Sequence, residues 1–275
     1  MDAGADTLRM LPFLFVAFLV IEALEHYSTE YTRKLLVKVG KAGPVVGALA
    51  GCIPQCGFSV LAANLYAGGI ISPGTLLAVF LSTSDEAVLI ILGNPGASGQ
   101  VAVLMGAKIV IGITAGYVTD LFFGKYIFSP KEQGNLCEHC GCHEHHAGIL
   151  KPALRHTAKI TCYLFVFTLI LSFCIEAAGI EKISEYLLRD TWFQPVITAL
   201  AGLIPNCAAS VMLTELYLCG AISFASVLAG LCSAAGVGIV VLCKVNRDKR
   251  ENLKILGLLY CISVVAGIVA ELAGM

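Results

Sequence analysis

The chain has 275 residues, 57% of them apolar and only 13% charged, with a mean hydropathy of +0.84. Soluble domains carry roughly 45–50% apolar and about 25% charged residues, so this composition excludes a compact water-soluble fold and makes the bilayer the solvent. A net charge of −1 and a pI near 6.6 give no sign of a nucleic-acid partner.

In chain order, apolar runs lie near 10–29, 43–69, 72–93, 101–124, 160–179, 194–220, 222–243 and 255–274. The first, Met10 to Tyr27, has no small-residue cleavage site after it and is followed by Arg33, Lys34, Lys38 and Lys41. It reads as a retained span whose trailing end is cytoplasmic. A spanning helix takes roughly 20 residues, and about ten membrane segments account for most of the chain. Most of the cysteines (Cys52, Cys56, Cys162, Cys174, Cys207, Cys219, Cys232, Cys243 and Cys261) fall inside apolar runs. Most of these read as small buried hydrophobes rather than as a disulfide framework.

Sliding the chain on itself by 151 residues lays GALAGCIPQCGFSVLAANLYAGGIIS over TALAGLIPNCAASVMLTELYLCGAIS without a gap, and about 17 of 46 aligned positions between 47–92 and 198–243 are identical. The chain is a duplicated half. Charge sets the relative orientation, because Lys and Arg concentrate on the cytoplasmic side. The loop at 30–42 is basic and that at 93–100 uncharged, whereas in the second half the loop at 180–193 is slightly acidic and Lys244–Arg250 strongly basic. Equivalent loops therefore lie on opposite sides and the halves are inverted, which requires an odd number of crossings in each. Four apolar runs per half is even, so one must count differently. The run 43–69 contains Gly51, Pro54 and Gly57, and its counterpart contains Gly202 and Pro205. Proline removes a backbone donor and clashes with the preceding turn, so each run is expected to be two half-helices, as a re-entrant hairpin or as two short crossings. Three or five crossings per half both satisfy the charges. Broken backbone at membrane depth is tolerated only inside protein or beside a cavity, and inverted repeats with interrupted helices are the plan of secondary transporters.

The two breaks carry matched polar groups: Pro54, Gln55, Cys56 and Ser59 in the first, Pro205, Asn206, Cys207 and Ser210 in the second. Thiolate suits soft or thiophilic ions, which makes these residues a candidate substrate site, while Cys52 aligns with Leu203 and has no counterpart. Ser84, Asp85 and Glu86 interrupt the apolar run Leu76–Leu92. Intramembrane acids are costly and default to function, and here they are expected to bind a cation or to exchange protons for it. Glu215, aligned with Asn64, supplies an acid in the second half. Glu22 aligns with Glu176 and Asp120 with Glu271; these four lie near span ends and read as solvated or paired. Lys108, inside its span, neutralises an acid or snorkels. The middle segment holds Cys137, His139, Cys140, Cys142, His143, His145 and His146, ligands suited to zinc, copper(I), nickel, cobalt or trivalent arsenic. A short glycine-flanked loop offers no scaffold for a tight structural site, so transient capture or sensing of metal is the expectation.

GCIPQCGFS, LYAGGIISPGTLLAVFLSTSDEA, the Cys/His-rich loop and GLIPNCAASV with LTELYLCGAIS together resemble the ten-transmembrane heavy-metal exporter family, labelled arsenic efflux or manganese transport. The hairpin is more distantly similar to permeases for trivalent organic arsenicals. The resemblance covers nearly the whole chain and implies five crossings per half and efflux as the direction. The expectation is an all-α polytopic membrane protein with two inverted-topology repeats, 1–127 and 159–275, around a cytoplasmic loop at 128–158, in a bacterial inner membrane. It is expected to be a non-enzymatic secondary transporter exporting a heavy-metal or metalloid ion by alternating access. It requires no cofactor, with the metal ion as substrate, the bilayer as partner and protons as a coupling ion. No Gly-x-x-x-x-Gly-Lys-Ser/Thr loop is present, so a gradient or a partner ATPase supplies the energy. One alternative is a divalent-cation transporter, for example of manganese, that uses the Ser-Asp-Glu oxygens. Another is a membrane thiol oxidoreductase using Cys52 and Cys56, and a third is a channel or a subunit of a larger transporter.

Overall fold

The computed structural model describes residues 42–53, 57–83, 87–92, 98–123, 162, 166, 193–246 and 248–274. The first half contains α1 (Gly43–Gly51), α2 (Gly57–Ala67), α3 (Pro73–Ser82), α4 (Ala87–Leu92) and α5 (Ser98–Val118), which runs into a π-helical turn at Thr119–Phe123. The second half contains α6 (Gln194–Gly202), α7 (Cys207–Leu218), α8 (Phe224–Ser233), α9 (Val237–Val245) and α10 (Lys249–Leu272). Helix for helix, the second set repeats the first at the 151-residue offset of the sequence.

The local signals repeat as well. Pro44 and Pro195 sit in the first turns of α1 and α6, where a missing N–H costs nothing. Ser72 and Ser223 cap α3 and α8, their hydroxyls accepting from Thr75 N and Ser226 N. After α2 and α7 the chain turns through Gly69 (φ 72°) and Gly220 (φ 75°). There Ile70 N donates to Leu65 O at 2.9 Å and Ala221 N to Leu216 O at 2.8 Å, a Schellman closure that needs the left-handed glycine.

The expected breaks at Pro54 and Pro205 fall between α1 and α2 and between α6 and α7. The structure adds a second interruption in each half where the hydropathy read one continuous run. The 72–93 run ends one helix at Ser82 and starts the next at Ala87, and the 222–243 run is divided at 234–236. In the second half the turn uses Gly236, whose φ of 55° leaves the helical region at no cost for glycine.

The core is built on α3 and α8, buried throughout Gly74–Ser82 and Ala225–Ser233. Within the halves, α1 and α5 pack on α3, and α6 and α10 on α8. Between them, α2 packs on α9 and α4 on α7, α3 on α10 and α5 on α8, while α3 meets α8. Every such contact has its exchanged partner, the signature of a two-fold relation. Glycines bring the backbones together, since a Cβ at Gly74 would lie 2.1 Å from Gly116 O and one at Gly202 would lie 2.0 Å from Gly230 O. Such small-residue contacts let membrane helices approach closely.

Among the described residues, three stretches are long and apolar enough to cross a membrane: Gly99–Phe122, Phe224–Val245 and Lys249–Leu272. The middle one, which contains the break at 234–236, is 89% buried inside the protein against 28% for each of the others. The outer two present Val103, Val110 and Leu121, and Leu253, Val265 and Leu272, outward. These apolar faces meet lipid, and the broken segment is shielded from it. The chain is a mostly helical, multi-pass membrane protein.

Candidate functional site

Around the first proline break the structure describes Ser59, fully buried in the first turn of α2. Pro54, Gln55 and Cys56 lie outside the described residues, as do Ser84, Asp85 and Glu86 and the loop ligands Cys137, His139, Cys140, Cys142, His143, His145 and His146. In the second half Pro205 and Asn206 form the half-buried turn between α6 and α7, Cys207 begins α7, and Ser210 is buried in its first turn. Glu215 stands apart, exposed further along α7. Among the described residues no three His, Cys, Asp or Glu side chains form a group that could hold a metal ion.

The two kinds of break meet across the halves. A Cβ added at Gly238, two residues beyond the φ-reversed Gly236, would lie 2.7 Å from Ser59 Cβ. The serine of the first proline motif therefore packs against the second interruption of the other half. By exchange, α7, with Ser210 in its first turn, packs on α4, which begins at Ala87.

Lys108 binds this crossing together. It is 1% exposed, and its Nζ donates to Thr83 O, just past the end of α3, and at 2.8 Å to Leu231 O in the last turn of α8. The sequence left two roles open for this side chain, and snorkelling is ruled out: the amine points to the middle of the protein. Cys232 is fully buried on α8, in keeping with a small hydrophobe, but Cys162, Cys219, Cys243 and Cys261 are exposed, against the expectation that most of the cysteines are buried. Cys52 caps α1, half-buried, its Sγ donating to Ala48 O at 3.2 Å.

Sequence reasoning missed a second polar cluster. Glu251, 5% exposed in the first turn of α10, accepts from the Tyr66 hydroxyl of the first half and from Asn246 Nδ2 at 2.9 Å. Asn252 closes the group, its Nδ2 donating to Asn246 O at 3.0 Å. A long-range pairing of 185 positions leaves no periodic trace. The only sequence signal was an acid directly after a basic loop. The repeat-mates of Tyr66 and Glu251 are Tyr217 and Gln100. Tyr217 packs edge-on against Phe224 at 6.1 Å between ring centroids, and Gln100 is exposed. Among the described residues this tyrosine–carboxylate link between the halves is thus made at one end and not at its repeat-related counterpart.

Asp120, expected near a span end, does pair. Its carboxylate accepts from Ser72 Oγ at 2.7 Å and from Gly74 N at 2.8 Å, holding the start of α3 to the end of α5. Glu271 accepts from Ser223 Oγ at 3.2 Å in the same place of the second half.

No curated protein and no solved structure matches the chain. A family model described as "Putative, 10TM heavy-metal exporter" matches residues 7–178 and 159–274. Together these regions span nearly the whole sequence, including both proline motifs and both sets of broken helices, and the chain belongs to that family.

Proposed function

We propose that this protein is a secondary transporter that exports a heavy-metal or metalloid ion across a bacterial inner membrane by alternating access between two inverted repeats. The observation that carries this reading is the meeting of interrupted helices from both halves around Lys108, far from lipid. Unwound backbone at membrane depth is the recurrent setting of transporter substrate sites.

Inversion has support besides loop charge. From the level of Gly238, α2 runs to Tyr66, which bonds Glu251 at the start of α10. Only residues 68–72 join α2 to α3, and they reach at most about 20 Å. The start of α3 lies against Asp120 at the end of α5. The start of α10 and the end of its repeat-mate α5 thereby share a side, as opposed halves require. The arms α1 and α2, of 9 and 11 residues, are about 14 and 17 Å long at 1.5 Å per residue, against a hydrocarbon core of about 30 Å. This favours a re-entrant hairpin and three full crossings per half. Counting each hairpin arm separately gives five segments per half, and ten in all.

The one-ended Tyr66–Glu251 link fits a transporter closed on one face. Glu251 adjoins the basic loop Lys244–Arg250, which reads as cytoplasmic, so the closed face is the cytoplasmic one. In this reading the cytoplasmic Cys/His loop collects the ion. Cys56 and Cys207 coordinate it, with Gln55, Asn206, Ser59 and Ser210 as neutral ligands beside Pro54 and Pro205. Asp85, Glu86 and Glu215 exchange protons for it, with Ser84 as a neighbouring oxygen ligand.

The test is accumulation of arsenite, manganese, zinc, cadmium and cobalt in cells with and without the protein, and with Cys56→Ser and Cys207→Ser. Lower accumulation of one ion with the wild type, restored by either substitution, is the expected result. Equal accumulation of all five overturns the reading. Manganese export indifferent to both substitutions moves the site to the Ser-Asp-Glu oxygens.

A further inference from the structure

The carbonyls that hold Lys108 belong to the C-terminal ends of two buried helices from opposite halves: Thr83 O follows α3, and Leu231 O lies in the last turn of α8. A helix C-terminus carries about half a negative charge in its unpaired carbonyls. Two such ends facing one point inside the protein supply backbone oxygens to a cation, the kind of site that unwound carbonyls and half-helix ends provide in transporters. The repeat-mate of Lys108 is Leu259, fully buried on α10. A two-fold-related site therefore has a single amine, supplied by one half to the carbonyls of both.

We infer that the meeting point of the α3 and α8 C-termini is a cation-binding site whose resident occupant is the Lys108 side chain, so that a transported cation takes these carbonyls only when the amine leaves them. This rests on the transport reading and adds the charge class of the ligand. The tethered amine competes with a metal cation for the same oxygens and repels it, whereas a neutral trihydroxy metalloid such as arsenite at neutral pH feels no such repulsion. Lys108 also returns to the carbonyls once the ion has gone, which speeds release. Removing it strengthens cation binding and slows turnover.

The experiment uses the full-length protein in detergent and in proteoliposomes, comparing wild type, Lys108→Met and Lys108→Arg with Cd²⁺, Mn²⁺ and arsenite as probes. While the amine holds the carbonyls, the apparent dissociation constant of a cation is the intrinsic one divided by the fraction of protein whose amine has left them. Lys108→Met is expected to lower the dissociation constant of a divalent cation by about ten-fold or more, to lower kcat together with KM for that cation, and to leave arsenite binding unchanged. Lys108→Arg, which keeps the charge, is expected to gain no affinity for the cation. A purely structural amine predicts loss of kcat with no gain in affinity, and that result overturns the inference. If Lys108→Met does not fold, the wild type still decides, because saturating Cd²⁺ or Mn²⁺ should speed modification of Lys108 by a small amine-directed reagent, read by mass spectrometry. An unchanged rate overturns the inference. Wild type that binds and moves arsenite but neither cation overturns it too, while leaving metalloid export standing. Wild type that moves none of the three removes the transport reading and the inference with it.

Discussion

Gly202→Ala tests the packing on which the crossing depends. Gly202 ends α6 against α8, and a Cβ there would lie 2.0 Å from Gly230 O, 2.3 Å from Ser233 Oγ and 2.9 Å from Gly230 C. Ser233 can rotate away at the loss of its 2.7 Å bond to Ala199 O, but a main-chain carbonyl cannot. The two backbones must therefore part by about 1 Å to reach ordinary contact. Helix α8 has nowhere to retreat, being packed on α10 and α3 behind it. Overpacking of this kind costs about 1–3 kcal/mol, and with no flexible neighbour to absorb it the upper end applies, a fall in Tm of about 6–12 °C for a chain of this size. The repeat-mate Gly51 meets Ser82 Oγ at 2.1 Å but its nearest carbonyl, Val79 O, at 2.6 Å, so Gly51→Ala should cost less. Gly257, on the outward face of α10, has no heavy atom within 4 Å of an added Cβ. Gly257→Ala should gain about 0.5–1 kcal/mol from helix propensity. Thermal unfolding of the detergent-solubilised protein reads all three. A Gly202→Ala protein as stable as wild type, or an order other than Gly257→Ala above Gly51→Ala above Gly202→Ala, refutes the close contact of α6 and α8.

Tyr66→Phe strips a donor from a buried carboxylate and should cost about 1–3 kcal/mol, with faster amide exchange around 244–252 as the two halves part. Tyr217→Phe, at the unlinked end, should stay within about 0.5 kcal/mol of wild type, and equal effects in stability and exchange would remove the one-ended link. Ser72→Ala loses both a helix cap and a bond to the half-buried Asp120 carboxylate, about 2 kcal/mol in all. Ser223→Ala, whose partner Glu271 is exposed, should cost about half as much, as paired denaturation curves will show.

What could be read in advance was whatever acts locally. Pro54 and Pro205 break helices by their own chemistry, and Ser72 and Ser223 cap them by theirs, so the 151-residue repeat and its first pair of interruptions were visible before any coordinates. The second pair was hidden. At 234–236 the residues are Ala, Ala and Gly, which a helix tolerates at a cost of about 1 kcal/mol for the glycine, so nothing in the local sequence announced the interruption beside which Ser59 of the other half packs on Gly238. In the first half the acids at 85 and 86 marked the place by polarity without announcing an interruption. Lys108 was visible as a charge in an apolar run, but whether it reached outward to water or inward to carbonyls depends on which face of α5 meets α3 and α8. That is a property of the assembled fold. Glu251 was overlooked for the same reason, since its partner Tyr66 belongs to the other half.

The two second interruptions are tolerable only together. Each helix end leaves up to four carbonyls without intrahelical partners, and away from water an unpaired polar group costs about 2–7 kcal/mol. Ser82 Oγ donates to Ala78 O and Val79 O, and Ser233 Oγ to Gly230 O and to Ala199 O of α6, so serines satisfy part of each end from within its own half. Thr83 O and Leu231 O are served instead by one amine, from α5 of the first half, which reaches α8 of the second only because the halves are docked. The carbonyls that an ion could use and the contact that joins the halves are therefore the same atoms. A ligand that takes Thr83 O and Leu231 O from Lys108 necessarily loosens a bond between the repeats. That gives occupancy of the site a direct physical route to the relative movement of the two halves, without any coupling pathway through the rest of the protein.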